Sequence, residues 1–168
     1  MAVLPDNSHY SYLDTYKANH DLKATDIRLV LSQIFLKSIW ISEKCIKPDP
    51  GFEFIPDAVF HYYNHKNIYC EAAIEIELSQ KSKRRYKNKF DEYFCTHYTF
   101  VLYCIQQESL GAVIFDQVDH LKRRHNFRDM IFIVNIHDLL INKENAVLTS
   151  YTSKINLKEG FLAQNKVE

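Results

Sequence analysis

Ile68-Tyr69-Cys70-Glu71-Ala72-Ala73-Ile74-Glu75-Ile76-Glu77-Leu78 decides how this chain folds. Its second half alternates. In an extended chain Ile74, Ile76 and Leu78 face one way, and Glu75 and Glu77 face the other. Phe54 to Tyr63 precedes it, an apolar and aromatic run with Pro56 near its start, where a missing N–H is tolerated. Asn64-His65-Lys66-Asn67 lies between the two runs and is rich in turn formers, so the pattern predicts a hairpin. Pairing its strands brings Asp57 towards Glu75 and Glu77, which follow it by 18 and 20 residues.

The flanking segments supply helices. Ile27, Val30, Leu31, Ile34 and Phe35 recur at helical spacing, predicting a helix from Thr25 to about Ser38 with Thr25 or Asp26 as cap. Lys47-Pro48-Asp49-Pro50-Gly51 is a breaker. Ser79 is a candidate cap for a helix carrying Tyr86, Phe90, Tyr93 and Phe94 as a buried stripe. Thr99 to Ile105 reads as an interior parallel strand, 107–123 as an amphipathic helix, and Met130 to Ile136 as another buried strand. Ala146 to Tyr151 offers a last edge strand. Residues 1–18 read as an irregular lead-in, 19–157 as the folded domain and 158–168 as a loose tail. The order helix, strand, strand, helix, strand, helix, strand predicts an α/β domain, a central mixed β-sheet flanked by helices.

At 168 residues the chain suits one domain with a substantial core. Its hydrophobic fraction of 46%, with only three Gly and four Pro, excludes a disordered segment. No apolar run reaches the roughly 18 residues of a membrane span. No signal-peptide pattern opens the chain, so it is expected to work in the cytoplasm. The four cysteines (Cys45, Cys70, Cys95, Cys104) lack paired metal spacing and read as reduced core residues. The formal charge is zero, but residues 81–89 hold six cations and no acid, which leaves minus six on the rest.

Carboxylates converging from paired strands suit a hard divalent cation. Packed together without one, they repel. Such a cation can activate an attacking oxygen and stabilise charge on a scissile phosphate. Alternating strands also line solvated faces, and that reading of Glu75 and Glu77 stays open. Lys81, at the strand-to-helix corner, is a candidate charge stabiliser. Lys83, Arg84, Arg85, Lys87 and Lys89 carry one sign without interleaved acids, which points to a polyanion such as DNA. Tyr86 has a phenol that can attack phosphate, but its place in the apolar stripe favours packing. Glu43 is a further acid before the first strand. The histidine pairs His61/His65 and His120/His125 lack the helical spacing of a zinc site. There is no phosphate-cradling Gly-rich loop.

Pro56-Asp57 and Glu75-x-Glu77, in this order of elements, resemble the PD-(D/E)xK restriction-endonuclease-like superfamily. In that pattern Glu77 stands where Lys is usual, and Lys81 substitutes from the helix. Asn19-His20-Asp21-Leu22, Trp40-x-Ser42-Glu43, Ile55-Pro56-Asp57-Ala58 and Ile74-Glu75-Ile76-Glu77-Leu78-x-x-Lys81-Ser82-x-x-Arg85-Tyr86 resemble, more narrowly, the replication-relaxation family and the MOB-C class of plasmid mobilisation relaxases. The resemblance implies a restriction-endonuclease-like core. It also implies a relaxase that nicks one DNA strand at a plasmid transfer origin with Mg²⁺ or Mn²⁺ during conjugation, alongside accessory mobilisation proteins. Asp57, Glu75 and Glu77 would be metal ligands or bases, and His20 matches a position of unassigned role. A hydrolytic nuclease of restriction or repair, and a non-catalytic DNA-binding accessory protein, are the alternatives.

Overall fold

The computed structural model describes residues 14–46, 53–119 and 130–163. Seven strands form one mixed sheet in sequential order: β1 Ile39–Ser42, β2 Ala58–Tyr63, β3 Tyr69–Glu77, β4 Phe100–Ile105, β5 Ile131–Asn135, β6 Val147–Thr149 and β7 Lys154–Asn156. β1, β2 and β3 run antiparallel, β3, β4 and β5 parallel, and β5, β6 and β7 antiparallel. The helices are α1 Thr15–Ile34, α2 Lys83–Phe94, α3 Glu108–Asp119, α4 Ile136–Asn142 and α5 Leu157–Ala163. The α/β class and the mixed sheet are therefore as the pattern predicts.

The sheet separates two cores. On one face α1 sets Ile27, Val30 and Leu31 over Phe60, Ile74, Leu102 and Val134, and α5 joins them through Phe161. On the other face α2 and α3 set Tyr86, Phe90, Tyr93, Leu110 and Ile114 over Ala73, Val101, Tyr103 and Ile133. Parallel strands covered on both sides must be apolar throughout, which explains why every residue of β4 is buried. The hairpin turn closes on Asn64, whose Oδ1 accepts from the N–H groups of Lys66 (2.9 Å) and Ile68 (3.0 Å). Asn67 takes a left-handed φ of 57°, which Asn tolerates better than most residues.

Four expectations need correction. α1 begins ten residues before Thr25, because Asp14 is its true cap: Asp14 Oδ1 accepts from the N–H groups of Tyr16 (3.1 Å) and Lys17 (3.2 Å). The early turns of α1 are polar and give no apolar period. β1 is a strand that the sequence pattern does not predict, because it is four residues long and only partly covered. Cys45 and Cys95 are exposed, while Cys70 and Cys104 lie in the core. The tail expected to be loose from Lys158 starts as helix α5. Phe161 is fully buried there, its ring centroid 4.7 Å from that of Phe100 and 5.0 Å from those of Phe35 and Tyr62. The breaker at 47–51, residues 120–123 of the expected helix, His120, His125, and most of the lead-in lie outside the described residues. Among the described residues no helix is long and apolar enough to cross a membrane.

Phe161→Ala removes a ring from the centre of an aromatic cluster. It is expected to cost about 3–5 kcal/mol of unfolding free energy in urea denaturation, where a substitution in a loose tail would cost almost nothing.

Candidate active site

β2 and β3 build the centre. Ala58 pairs with Ile74, and continuing that register by one residue sets Asp57 opposite Glu75. The Asp57 carboxylate closes the end of the ladder, with Oδ2 accepting from the Ile76 N–H at 2.7 Å. Period two puts Glu75 and Glu77 on the face covered by α2, as the alternation predicts. That face is not solvated there: Glu75 is 1% exposed and Glu77 5%.

A polar network under α2 receives these carboxylates. The Tyr93 hydroxyl donates to Glu75 Oε1 and Lys89 Nζ donates to Glu75 Oε2. The Tyr86 hydroxyl donates to Glu77 Oε2 at 3.4 Å, and itself accepts from the Lys81 N–H at 3.3 Å. Burial pushes Glu75 up to about 7, with the Asp57 charge adding to it and Lys89 and Tyr93 opposing. Burial also raises Glu77, opposed by Lys81 and Lys89. Tyr103, opposite Glu75 in the β4 register, is fully buried beside both glutamates, and its hydroxyl has no hydrogen-bond partner.

Lys89 is the correction on the basic run. It was grouped with the phosphate-contacting cations, but its side chain is 8% exposed and belongs to the Glu75 network. Its position explains this. It precedes Phe90 on the apolar stripe of α2, three residues after Tyr86 and four before Tyr93. Lys83, Arg84, Arg85 and Lys87 are exposed, with Lys83 also 3.4 Å from Asp116. Lys81 acts on Glu77 through its charge, but its side-chain hydrogen bonds go elsewhere. Its Nζ donates to the Tyr16 hydroxyl at 2.8 Å and lies 3.5 Å from Ser79 Oγ.

His20 reaches Asp57 from α1, with Nε2 3.4 Å from Oδ2, and that contact raises its basicity. The two line a cavity of about 260 Å³ together with Asp21, Arg28, Trp40 and Glu43. Glu43 sits on a short 3-10 turn after β1, where its N–H donates to the Asp57 carbonyl at 2.9 Å. His20 and Glu43 thus meet Asp57 beside this cavity, while Glu75 and Glu77 lie beneath α2. Tyr86 is buried in the stripe, and burial pushes its hydroxyl up to about 12. A larger cavity of about 740 Å³ lies away from these carboxylates, between α3 and the β5–β6 edge.

No protein-family profile matches the chain. No solved structure matches it. An uncharacterised protein of Plasmodium falciparum is 27% identical over 154 residues, which is 87% of this chain and 9% of that protein. The chain therefore spans about a tenth of the length of that relative.

The Glu75 shift has a measurable consequence. Its folded value near 7 lies above the ordinary 4.5, so the native state holds a proton that the unfolded state has released. Native stability contributed by that proton falls as pH rises from about 4.5 through about 7. In metal-free protein, Glu75→Gln is expected to gain melting temperature relative to wild type across that window and to level off above it. A difference that stays flat with pH would contradict the buried carboxylate.

Proposed function

We propose that this domain is a metal-dependent DNA strand-cutting domain with a PD-(D/E)xK-like core, acting as a relaxase that nicks one strand at a plasmid transfer origin. One observation carries the reading: Asp57, the residue before β2, caps β3 with its carboxylate on the Ile76 N–H, next to Glu75, within the order α1, β1, β2, β3, α2, β4. The exposed cations of α2 support a polyanionic substrate, because they form the solvent side of the helix that covers the two glutamates.

The residues suit Mg²⁺ or Mn²⁺ to a limited and specific degree. Among the described residues no three His, Cys, Asp or Glu side chains converge as a metal cage. Mg²⁺ commonly uses one or two carboxylates, with water and substrate phosphate completing its shell. Asp57 and Glu75 are such a pair. The donor set is oxygen, and the buried Tyr103 hydroxyl beside the two glutamates is unpaired. When bound, the ion supplies Lewis acidity at the scissile phosphate. The protein groups do the rest. Asp57 and Glu75 would hold the ion, Lys89 balances the buried charge of Glu75, and His20 orients Asp57. Arg84, Arg85 and Lys87 hold flanking phosphates without reading sequence.

A non-catalytic DNA-binding protein of this fold is the second reading, and two observations favour it. Both Glu75 oxygens already have donors, and Glu77 stands where the motif has Lys.

With Mg²⁺ or Mn²⁺ and a supercoiled plasmid carrying a transfer origin, wild type is expected to give open circles at one mapped position. Glu75→Ala should give at least a hundredfold fewer. Scattered nicks would favour a hydrolytic nuclease. Salt-sensitive binding without nicks would leave the accessory role. In a separate titration, Arg84→Glu with Lys87→Glu is expected to weaken DNA binding and flatten its log–log salt slope by roughly 2, one contact each. An unchanged slope would remove the α2 face from the interface.

A further inference from the structure

β4 and β5 are neighbouring parallel strands whose chains leave towards opposite faces of the sheet. After β4 the chain enters α3, whose Leu110, Ile114 and Val118 lie in the core that α2 covers. After β5 it enters α4, whose Ile136 and Leu139 lie in the other core with α1. Ile105 and Asn135 are register partners, so the two departures occur side by side. Neither connection crosses the gap between the strand ends, and a crevice is left there. The cavity of about 740 Å³ opens from that gap. Small-molecule sites have volumes of roughly 300–1,000 Å³.

The cavity has an apolar floor and a polar rim. Ile105 and Ile133 form the floor, Gly111 and Ala112 keep the α3 wall low, and Phe115 one turn on offers a half-buried ring. Tyr151 braces that ring edge-on, with centroids 6.3 Å apart. Asp138 holds the facing wall. Its Oδ1 accepts from Asn142 Nδ2 at 2.5 Å and its Oδ2 from the Val147 N–H at 2.8 Å, which ties α4 to β6 and occupies the carboxylate within the protein. Asn135 is fixed as well. Its Oδ1 accepts from the N–H groups of His137 (2.8 Å) and Asp138 (3.3 Å), so its Nδ2 is the end left to donate to a ligand. Gln106, Glu108 and Lys154 are exposed on the rim.

We propose that this cavity binds a ribonucleoside monophosphate, at a site separate from the strand-cutting centre. Phe115 and the isoleucine floor take the flat face of a base. The Gln106 amide and Asn135 Nδ2 meet the donors and acceptors on the edge of that base. Glu108 accepts from ribose hydroxyls, and Lys154 meets the phosphate. A wholly apolar occupant would strand these polar groups. A bare anion would be repelled by Glu108 and would leave the floor wet. Nothing in the site depends on Asp57, Glu75 or a metal ion.

The test is isothermal titration calorimetry of the full chain in EDTA with AMP, GMP, CMP and UMP in turn. At least one is expected to bind saturably, one to one. Ala112→Trp fills the cavity from an exposed helix position and should weaken that binding about a hundredfold while the melting temperature holds. Lys154→Met, on the short edge strand β7, should weaken it about tenfold yet change the affinity for the matching nucleoside less than about twofold. No saturable binding of any of the four at about 1 mM would overturn the proposal. Binding that survives Ala112→Trp would also overturn it, because the nucleotide would then sit elsewhere. Equal losses of nucleotide and nucleoside in Lys154→Met would overturn the monophosphate as the ligand. If Ala112→Trp fails to fold, that nucleotide-to-nucleoside ratio decides alone.

Discussion

Glu75 is a carboxylate carried into the interior on a central strand, and the surrounding structure is arranged to receive it. Burying an ionised group costs several kcal/mol unless it is paired and hydrogen-bonded. Here the partners come from one neighbouring element: Lys89 and Tyr93 both descend from α2. The same helix face carries Tyr86 to Glu77 and packs Phe90 against Tyr103 with centroids 5.8 Å apart. The seating of α2 over β3 and β4 is therefore coupled to the charge state of the carboxylates beneath it. Apolar residues at 75 and 77 would satisfy the sheet with less cost, which makes the retained charges a statement about what the site does.

Two layers of electrostatics follow. The inner one is dry, with Glu75, Glu77 and Lys89 beneath α2. The outer one is wet, with Lys83, Arg84, Arg85 and Lys87 on the exposed side of α2 and Lys81 at the corner.

Much of the fold was legible because periodicity records burial. Alternation from Ile74 to Leu78 fixed the faces of β3, and the continuous apolar run of β4 marked a strand covered on both sides. The approach of Asp57 to β3 followed from hairpin register alone. What escaped had little period to show. The first turns of α1 are polar, β1 is a short edge strand, and α5 rests on Leu157 and Phe161 one turn apart. At the site, a charge run read as one wet face concealed Lys89, because sequence counts cations without saying which one sits on the aromatic stripe. Its i and i+4 relation to Tyr93 was the available signal.

The central claim is that Asp57 and Glu75 together hold a divalent cation. Crystals grown with Mn²⁺ and measured for anomalous scattering test it most directly. A single strong peak between the two carboxylates, lost in Glu75→Gln crystals, is the expected result. Saturating Mn²⁺ with no peak there, and Glu75 still bound to Lys89 and Tyr93, would contradict it and leave a DNA-binding domain whose buried carboxylates serve only to seat α2.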